Sequence, residues 1–384
     1  MTRSAGNENG GLFHEGKNTR GTGTAVFIRN LNAGGAERAV VNLLEGMVAR
    51  GIVPELVLCS REGVFLEQLP PQIPIVDLGC QSVYKAVLPL AGYLRRRQPA
   101  TLISHASGNN GAIALAGLLA FGHTRVFLVE HGSLRVHLEG LRGWKRPALR
   151  VIRRLFYPRA AGIIAVSRGL ARDLEAELRL PEASVHTIYN PVIDPALLAR
   201  SAESLDHPWF LPGQPPVILG AGRLVELKDH ATLIRAFALV RTRLPARLLI
   251  LGEGPSRPKL EALARELELG PEVLSLPGFT PNPYAYMKRA ATFVLSSRLE
   301  SLPTVLIEAM ACGCPVISSD CTFGPAEILE GGKYGPLYPV GDAAALAQAI
   351  TRILRSPPER RALVRRAMDF SFDRAVDEYR ALLI

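Results

Sequence analysis

The stretch ATFVLSSRLESLPTVLIEAMACGCPVISS, residues 291–319, decides how the chain is read. It opens on a short β-branched and aromatic run, ATFVLSS, crosses a polar turn into an apolar helical pattern, and closes on a second short run, CPVISS. Two strand-like runs joined through a helix make a βαβ unit, and such units stack into a parallel sheet. Glu300 stands at the end of the first run, and Glu308 follows after seven intervening residues, inside the helix. Pro303 suits the first turn of that helix, so the free amides of Leu302, Thr304 and Val305 are expected to face outward, where a helix N-terminus takes a diphosphate. Carboxylates on exposed helices are usually solvated, but Glu308 falls within LIEAMA, where an ionised group needs a partner.

The same alternation runs upstream. VILGAG, ARLLILG and EVLSLPG read as strands of the second half, each followed by a turn and a helical stretch. In the first half AVFIRN, PELVLCS, IPIVDLG, ATLIS, RVFLVEH and GIIAVS alternate with helical patterns over 36–49, near 84–97, after Gly108 and from about residue 168. Asn190-Pro191 and the Pro-, Ser- and Ala-rich run to Pro216 interrupt the pattern and mark a linker. A chain of 384 residues suits two domains. The expected architecture is therefore α/β, two Rossmann-like domains with parallel sheets facing an interdomain cleft: residues 24–190, a linker over 191–216, and residues 217–370. A final helix over 371–384 is expected to pack back on the first domain, and residues 1–23, rich in Gly and Asn, to form a disordered tail. Ligands of such sheets lie beyond the carboxyl ends of the strands.

Charge is unevenly divided. Residues 1–190 carry 23 Lys and Arg against 14 Asp and Glu, while residues 191–384 carry 22 against 21, so the basic excess belongs to the first half. The five cysteines form no CxxC pair and have no His at zinc-ligand spacing, which fits a reducing compartment without a metal centre. The longest apolar stretch, residues 111–122, is well short of the roughly 20 residues that span a bilayer. No charged-then-apolar leader opens the sequence, and a cytoplasmic protein is expected.

The E-x7-E spacing followed by AMACGCPVISSD resembles the donor site of the retaining GT-B glycosyltransferases of family 4. The resemblance extends through GGAER at 34–38, EHGS at 130–133, VSR at 166–168, YNPV at 189–192, GRLVELKD at 222–229 and LGEGP at 251–255. It implies transfer of a sugar from a nucleotide diphosphate-sugar, with UDP expected ahead of GDP, onto a lipid-linked or polysaccharide acceptor in surface glycan synthesis. It implies further that Glu308 bonds the donor ribose, that Glu300 meets hydroxyls of the transferred sugar, that Arg223 and Lys228 hold the pyrophosphate, and that His131 meets the donor sugar. Gly34 and Gly35 then let backbone approach the donor. Chemistry supports the cation pair independently, because a diphosphate leaving group needs positive charge where its own negative charge grows. No Asp-x-Asp occurs in the chain, so the usual carboxylate pair for a divalent metal is missing and a metal-free reaction without cofactor is expected.

His105 and His137 lack the match that singles out His131. Between Arg135 and Arg159 eight Lys and Arg stand against one acid. Arg146, Arg150, Arg153 and Arg154 fall on one helical face, beside Leu149, Ile152 and Phe156 and near Trp144. That pattern reads either as a solvated face or as an interfacial helix on anionic lipid, which would place the protein peripherally on the inner face of the membrane. Neither stacking platforms nor a known module points to nucleic acid. Two rivals remain: a sugar-nucleotide epimerase of the same architecture, and a non-catalytic nucleotide-sugar binding protein.

Overall fold

In the computed structural model residues 23–32, 34–139, 143 and 145–383 are described. Residues 1–22, within the stretch read as a tail, and Trp144 lie outside them. The first lobe runs β1 (Thr24–Ile28), α1 (Gly35–Ala49), β2 (Glu55–Leu58), β3 (Ile75–Asp77), α2 (Val87–Arg97), β4 (Thr101–Ser104), α3 (Asn110–Leu119), β5 (Arg125–Glu130), α4 (Leu134–Glu139), α5 (Lys145–Phe156), β6 (Gly162–Ala165), α6 (Arg168–Leu178) and β7 (His186–Thr187). After α7 (Pro195–Ala202) the second lobe follows: β8 (Val217–Ala221), α8 (His230–Arg241), β9 (Arg247–Leu251), α9 (Arg257–Glu266), β10 (Leu274–Gly278), α10 (Pro283–Arg289), β11 (Thr292–Leu295), α11 (Thr304–Ala311), β12 (Val316–Ser319), α12 (Pro325–Ile328), β13 (Leu337–Tyr338), α13 (Ala343–Arg355), α14 (Arg360–Ala367) and α15 (Phe372–Leu383).

The described strands form two parallel sheets, in the orders 3-2-1-4-5-6-7 and 10-9-8-11-12-13. Their central strands are Val-, Leu-, Ile- and Phe-rich and fully buried, since helices cover both faces of each sheet. Winding reverses between β1 and β4 and again between β8 and β11. At such switch points neighbouring loops diverge and leave a crevice.

The stretch 191–216, read as linker, holds ordered structure of its own. Asp194 caps α7 by accepting the Leu197 amide at 2.5 Å, and Pro195 occupies its first turn. The helix docks on α10, where Asn282 Nδ2 donates to Arg200 O at 2.9 Å and Arg289 donates to Glu203 O at 2.8 Å. A Pro- and Ser-rich composition hid a capped helix.

The chain crosses between lobes twice, and the crossings are tied together. Val192 and Ile193 donate their amides to Phe370 O, and Phe372 donates back to Ile193 O. Beyond this point α15 lies on α1, where Arg50 pairs with Asp373 at 3.0 Å and Asp377 at 3.4 Å. A third interlobe contact comes from Glu327 of α12, which accepts the Arg168 and Gly169 amides at the start of α6 and the Tyr189 hydroxyl at 2.6 Å. No described helix is long and apolar enough to cross a membrane.

Candidate active site

Both switch points open into one cleft of about 570 Å³. The first lobe contributes Gly35 from the start of α1 and His131 from the end of β5; the second contributes Gly222, Arg223 and Lys228 from the turn after β8, and residues 299–305 between β11 and α11.

Backbone constraints shape the second-lobe wall. Gly222 donates its amide to Leu251 O and Leu224 donates to Glu253 O, so the phosphate-side turn leans on the loop after β9. A Cβ on Gly252, whose φ is +135°, would collide with Gly222 O, which is why glycine stands there. On the floor of this wall Lys228 Nζ lies 2.6 Å from Glu300 Oε1, which also accepts Ser297 Oγ at 2.6 Å. The carboxylate thus holds the ammonium at the mouth of α11. Arg223 is exposed and makes no ion pair among the described residues. Helix α11 begins at Thr304, one residue later than Pro303 suggested: Pro303 takes extended ψ as the N-cap, and no side chain caps the helix. Leu302, Thr304 and Val305 line the cleft with it.

Glu308 stands behind that lining, half-buried. Burial pushes its carboxyl up to about 7; Arg38 and Arg200 pull it down, Asp194 pushes it up, and a hydrogen bond from Thr304 lowers it. Arg38 comes from the first lobe and Arg200 from α7, so this carboxyl is poised by residues far apart in sequence. Gly34 is not among the residues that line the cleft. A side chain there would run into the Glu37 carboxylate, which folds back over the turn.

The first-lobe wall places Glu37 and His131 at the cleft and holds further charge beneath. Glu130 is fully buried and accepts four donors: Ser107 Oγ at 2.9 Å, the Gly108 amide at 2.8 Å, Asn110 Nδ2 at 2.8 Å and Tyr157 Oη at 2.6 Å. Desolvation raises its pKa, and these bonds oppose the rise. Ser107 Oγ in turn accepts the His131 amide at 3.0 Å, which fixes the backbone that presents His131.

The basic helix needs correction. Arg153 is buried, 1 % exposed, and donates to Leu134 O and Gly108 O, so it faces inward and cannot meet a membrane. Arg150 pairs with Glu177 at 2.6 Å and Arg154 donates to Glu177 O, which ties both to α6. Of the four arginines only Arg146 is left exposed. Counting charges on a wheel missed this because the carbonyl groups of Leu134 and Gly108 are brought to Arg153 by the tertiary fold. Of the apolar residues on this helix Leu149 is buried, whereas Ile152 is 38 % exposed.

Three residues at or behind this cleft carried no assignment from the sequence. His105 follows β4 as His131 follows β5, and the parallel endings ATLISH and VFLVEH were the available signal. Glu130 was visible only as part of EHGS, and Glu327 only as the last residue of the stretch 296–327 that carries the E-x7-E motif, with no role drawn from it, since its partners lie in the other lobe. Among the described residues no three His, Cys, Asp or Glu side chains are grouped to hold a metal ion.

Residues 33–194 match the family described as Glycosyltransferase Family 4, and residues 202–370 match that described as Glycosyl transferases group 1. The chain is 33% identical over 213 residues to the Campylobacter jejuni N-acetylgalactosamine-N,N'-diacetylbacillosaminyl-diphospho-undecaprenol 4-alpha-N-acetylgalactosaminyltransferase, covering 56% of each chain. It is 34% identical over 178 residues to the lipopolysaccharide core biosynthesis glycosyltransferase LpsE of Rhizobium meliloti, covering 45% of this chain and 51% of LpsE. The chain thus spans about half the length of these curated relatives. Its fold matches Anabaena HepE in complex with UDP-glucose, with a TM-score of 0.72, 18% identity and coverage of 94% of this chain and 98% of that one, a likeness of fold alone.

Proposed function

We propose that this chain, which belongs to the family 4, group 1 glycosyltransferases of GT-B fold, transfers a sugar from a nucleotide diphosphate-sugar to a glycan acceptor with retention and without a metal. The observation that carries the reading is the Lys228–Glu300 pair at the mouth of α11, opposite Gly35 and His131 across one cleft. The diphosphate would lie along the free amides of α11, with Arg223 and Lys228 meeting the charge that grows as it leaves. The bond from C1 to the phosphate oxygen breaks, the acceptor oxygen bonds C1 on the same face, and its proton passes to the departing phosphate. Glu308 would take the ribose and Glu300 the sugar hydroxyls. A UDP-sugar is favoured by the UDP-glucose bound to the structurally similar HepE.

A lipid-linked acceptor, presented at the inner face of an anionic membrane, is supported by the undecaprenol diphosphate in the name of the Campylobacter relative and by α5. Val151 and Leu155 are 63 % and 46 % exposed there, beside exposed Lys145 and Arg146.

The test is incubation with UDP-, GDP- and ADP-sugars, first by thermal shift and then with a lipid-linked diphospho-sugar acceptor. A ligand at 100 times its Kd adds about 2.7 kcal/mol of stability, so the correct base should stand out. Transfer that survives EDTA supports the reading. An epimerised sugar nucleotide without any acceptor product, or no stabilisation by any nucleotide, sinks it.

A further inference from the structure

β4 and β5 are neighbours in register, Ser104 beside Leu128, so His105 and His131 emerge from adjacent strands at the same sheet edge. Their rings lie 5.2 Å apart at 34°, with His105 Nδ1 2.9 Å from His131 Nε2. At that distance one ring donates and the other accepts. His105 is 4 % exposed and its second nitrogen, Nε2, has no partner among the described residues. His131 lines the cleft, and the ring nitrogen it has left for the cleft is Nδ1.

Only two neutral arrangements satisfy the pair. If His131 donated, His105 would carry its own proton on Nε2, a buried N–H with no acceptor, and orphaned buried N–H groups are rarer than under-satisfied acceptors. If His105 donates from Nδ1, its buried Nε2 is a bare lone pair, and His131 must hold its proton on Nδ1. Neutrality of both rings is favoured by burial, which pulls His131 down to about 4 and His105 well below the ordinary value, where the nearby His131 adds to the effect. The main chains of both residues are pinned as well: the His105 amide donates to Phe27 O at 2.8 Å and the His131 amide to Ser107 Oγ at 3.0 Å.

We propose that His105 is a positioning residue that locks His131 as its Nδ1–H tautomer, so that His131 offers the cleft a hydrogen-bond donor for a hydroxyl of the transferred sugar and does not act as a base. The part that names the sugar rests on the glycosyltransferase reading; the tautomer itself does not.

Nitrogen NMR of the ligand-free full chain, with His131→Gln used for assignment, tests the lock directly. A protonated Nδ1 and a bare Nε2 on His131 are expected at neutral pH, and the reverse pattern overturns the proposal whatever the enzyme's activity. Two variants test the consequence. His105→Asn keeps an N–H donor near the place of Nδ1, while His105→Leu removes it. The Leu variant should lower kcat about tenfold with donor KM little changed, and the Asn variant should recover most of that loss. Equal losses in both variants, in step with their melting temperatures, would mean that His105 only fills space, which overturns the role. The expected tautomer in a protein that transfers no sugar would refute the glycosyltransferase reading and with it the sugar contact, while the lock would stand.

Discussion

The two lobes share one architecture but place their charge differently. In the second lobe the ionic groups stand at the cleft wall: Lys228 on Glu300, Arg223 exposed, and Glu308 just behind. In the first lobe no Lys or Arg is among the described cleft-lining residues, which include Gly35, Glu37 and His131, while Glu130 and Arg153 are buried and held by internal hydrogen bonds. The lesson is that net charge and functional charge are distinct. The basic first lobe spends part of its charge on holding loops, and the nearly neutral second lobe carries the groups that would meet a diphosphate.

The sharpest way to break this contrast is to remove a first-lobe charge and look for a structural cost. Glu130→Ala takes the acceptor from four donors. The Gly108 amide and Tyr157 hydroxyl are buried with no other partner among the described residues, while Ser107 is part-buried and Asn110 Nδ2 keeps Val129 O. At about 1–3 kcal/mol for each buried donor left unpaired, a loss on the order of 4 kcal/mol is expected by urea unfolding. A loss below about 1 kcal/mol would mean that Glu130 is not what holds these loops.

Second-lobe changes should leave the fold intact and strike turnover. Arg223→Ala and Lys228→Ala should each lower kcat by about 10²–10³, the cost of removing one preorganised group that meets developing charge. If kcat holds while only KM rises, these cations bind the donor equally in ground and transition states.

Glu308 gives a pH signature. Its raised value means that the folded state holds the proton more tightly than the unfolded chain. This contribution therefore favours the fold at acid pH and is lost as pH climbs from the ordinary 4.5 towards about 7. Ribose hydroxyls donate best to the ionised carboxylate, so donor affinity by calorimetry should rise with pH through about 7 and level above it. Glu308→Gln should flatten that slope, and Glu308→Ala should cost roughly 1.5–3 kcal/mol of donor binding. A wild-type affinity that is flat between pH 6 and 8 would remove Glu308 from the donor site.

The smallest effect concerns α5. Arg146→Gln should weaken binding to phosphatidylglycerol liposomes by about 1 kcal/mol at low salt, and Val151→Ser should weaken it at any salt. The control is Arg153→Gln: because Arg153 is buried, its loss should appear in stability. A liposome defect without a change in stability would return Arg153 to the surface.

Much of this molecule was legible in residue order. The short apolar runs located eleven strands, because a strand covered on both faces must be apolar along its length, and Gly or Pro punctuation marked their ends. The two-residue edge strands β7 and β13 escaped, being too short to show a period, and α7 escaped because its cap sat inside a proline-rich stretch. Glu300, Glu308, Arg223, Lys228 and His131 were named from local motifs and the family resemblance they carry; all but Glu308, which lies inside α11, follow a strand end. Tertiary structure alone decided which charges are spent and which are available. Arg153 turns inward because carbonyls from the start of α4 and from the turn at Gly108 meet it, Glu327 bridges lobes through helix amides, and His105 reaches His131 only because β4 and β5 are neighbours in the sheet. Hydrogen-bond partners more than a few turns apart leave no periodic trace in a sequence, because it is the folded sheet that brings them within 3 Å.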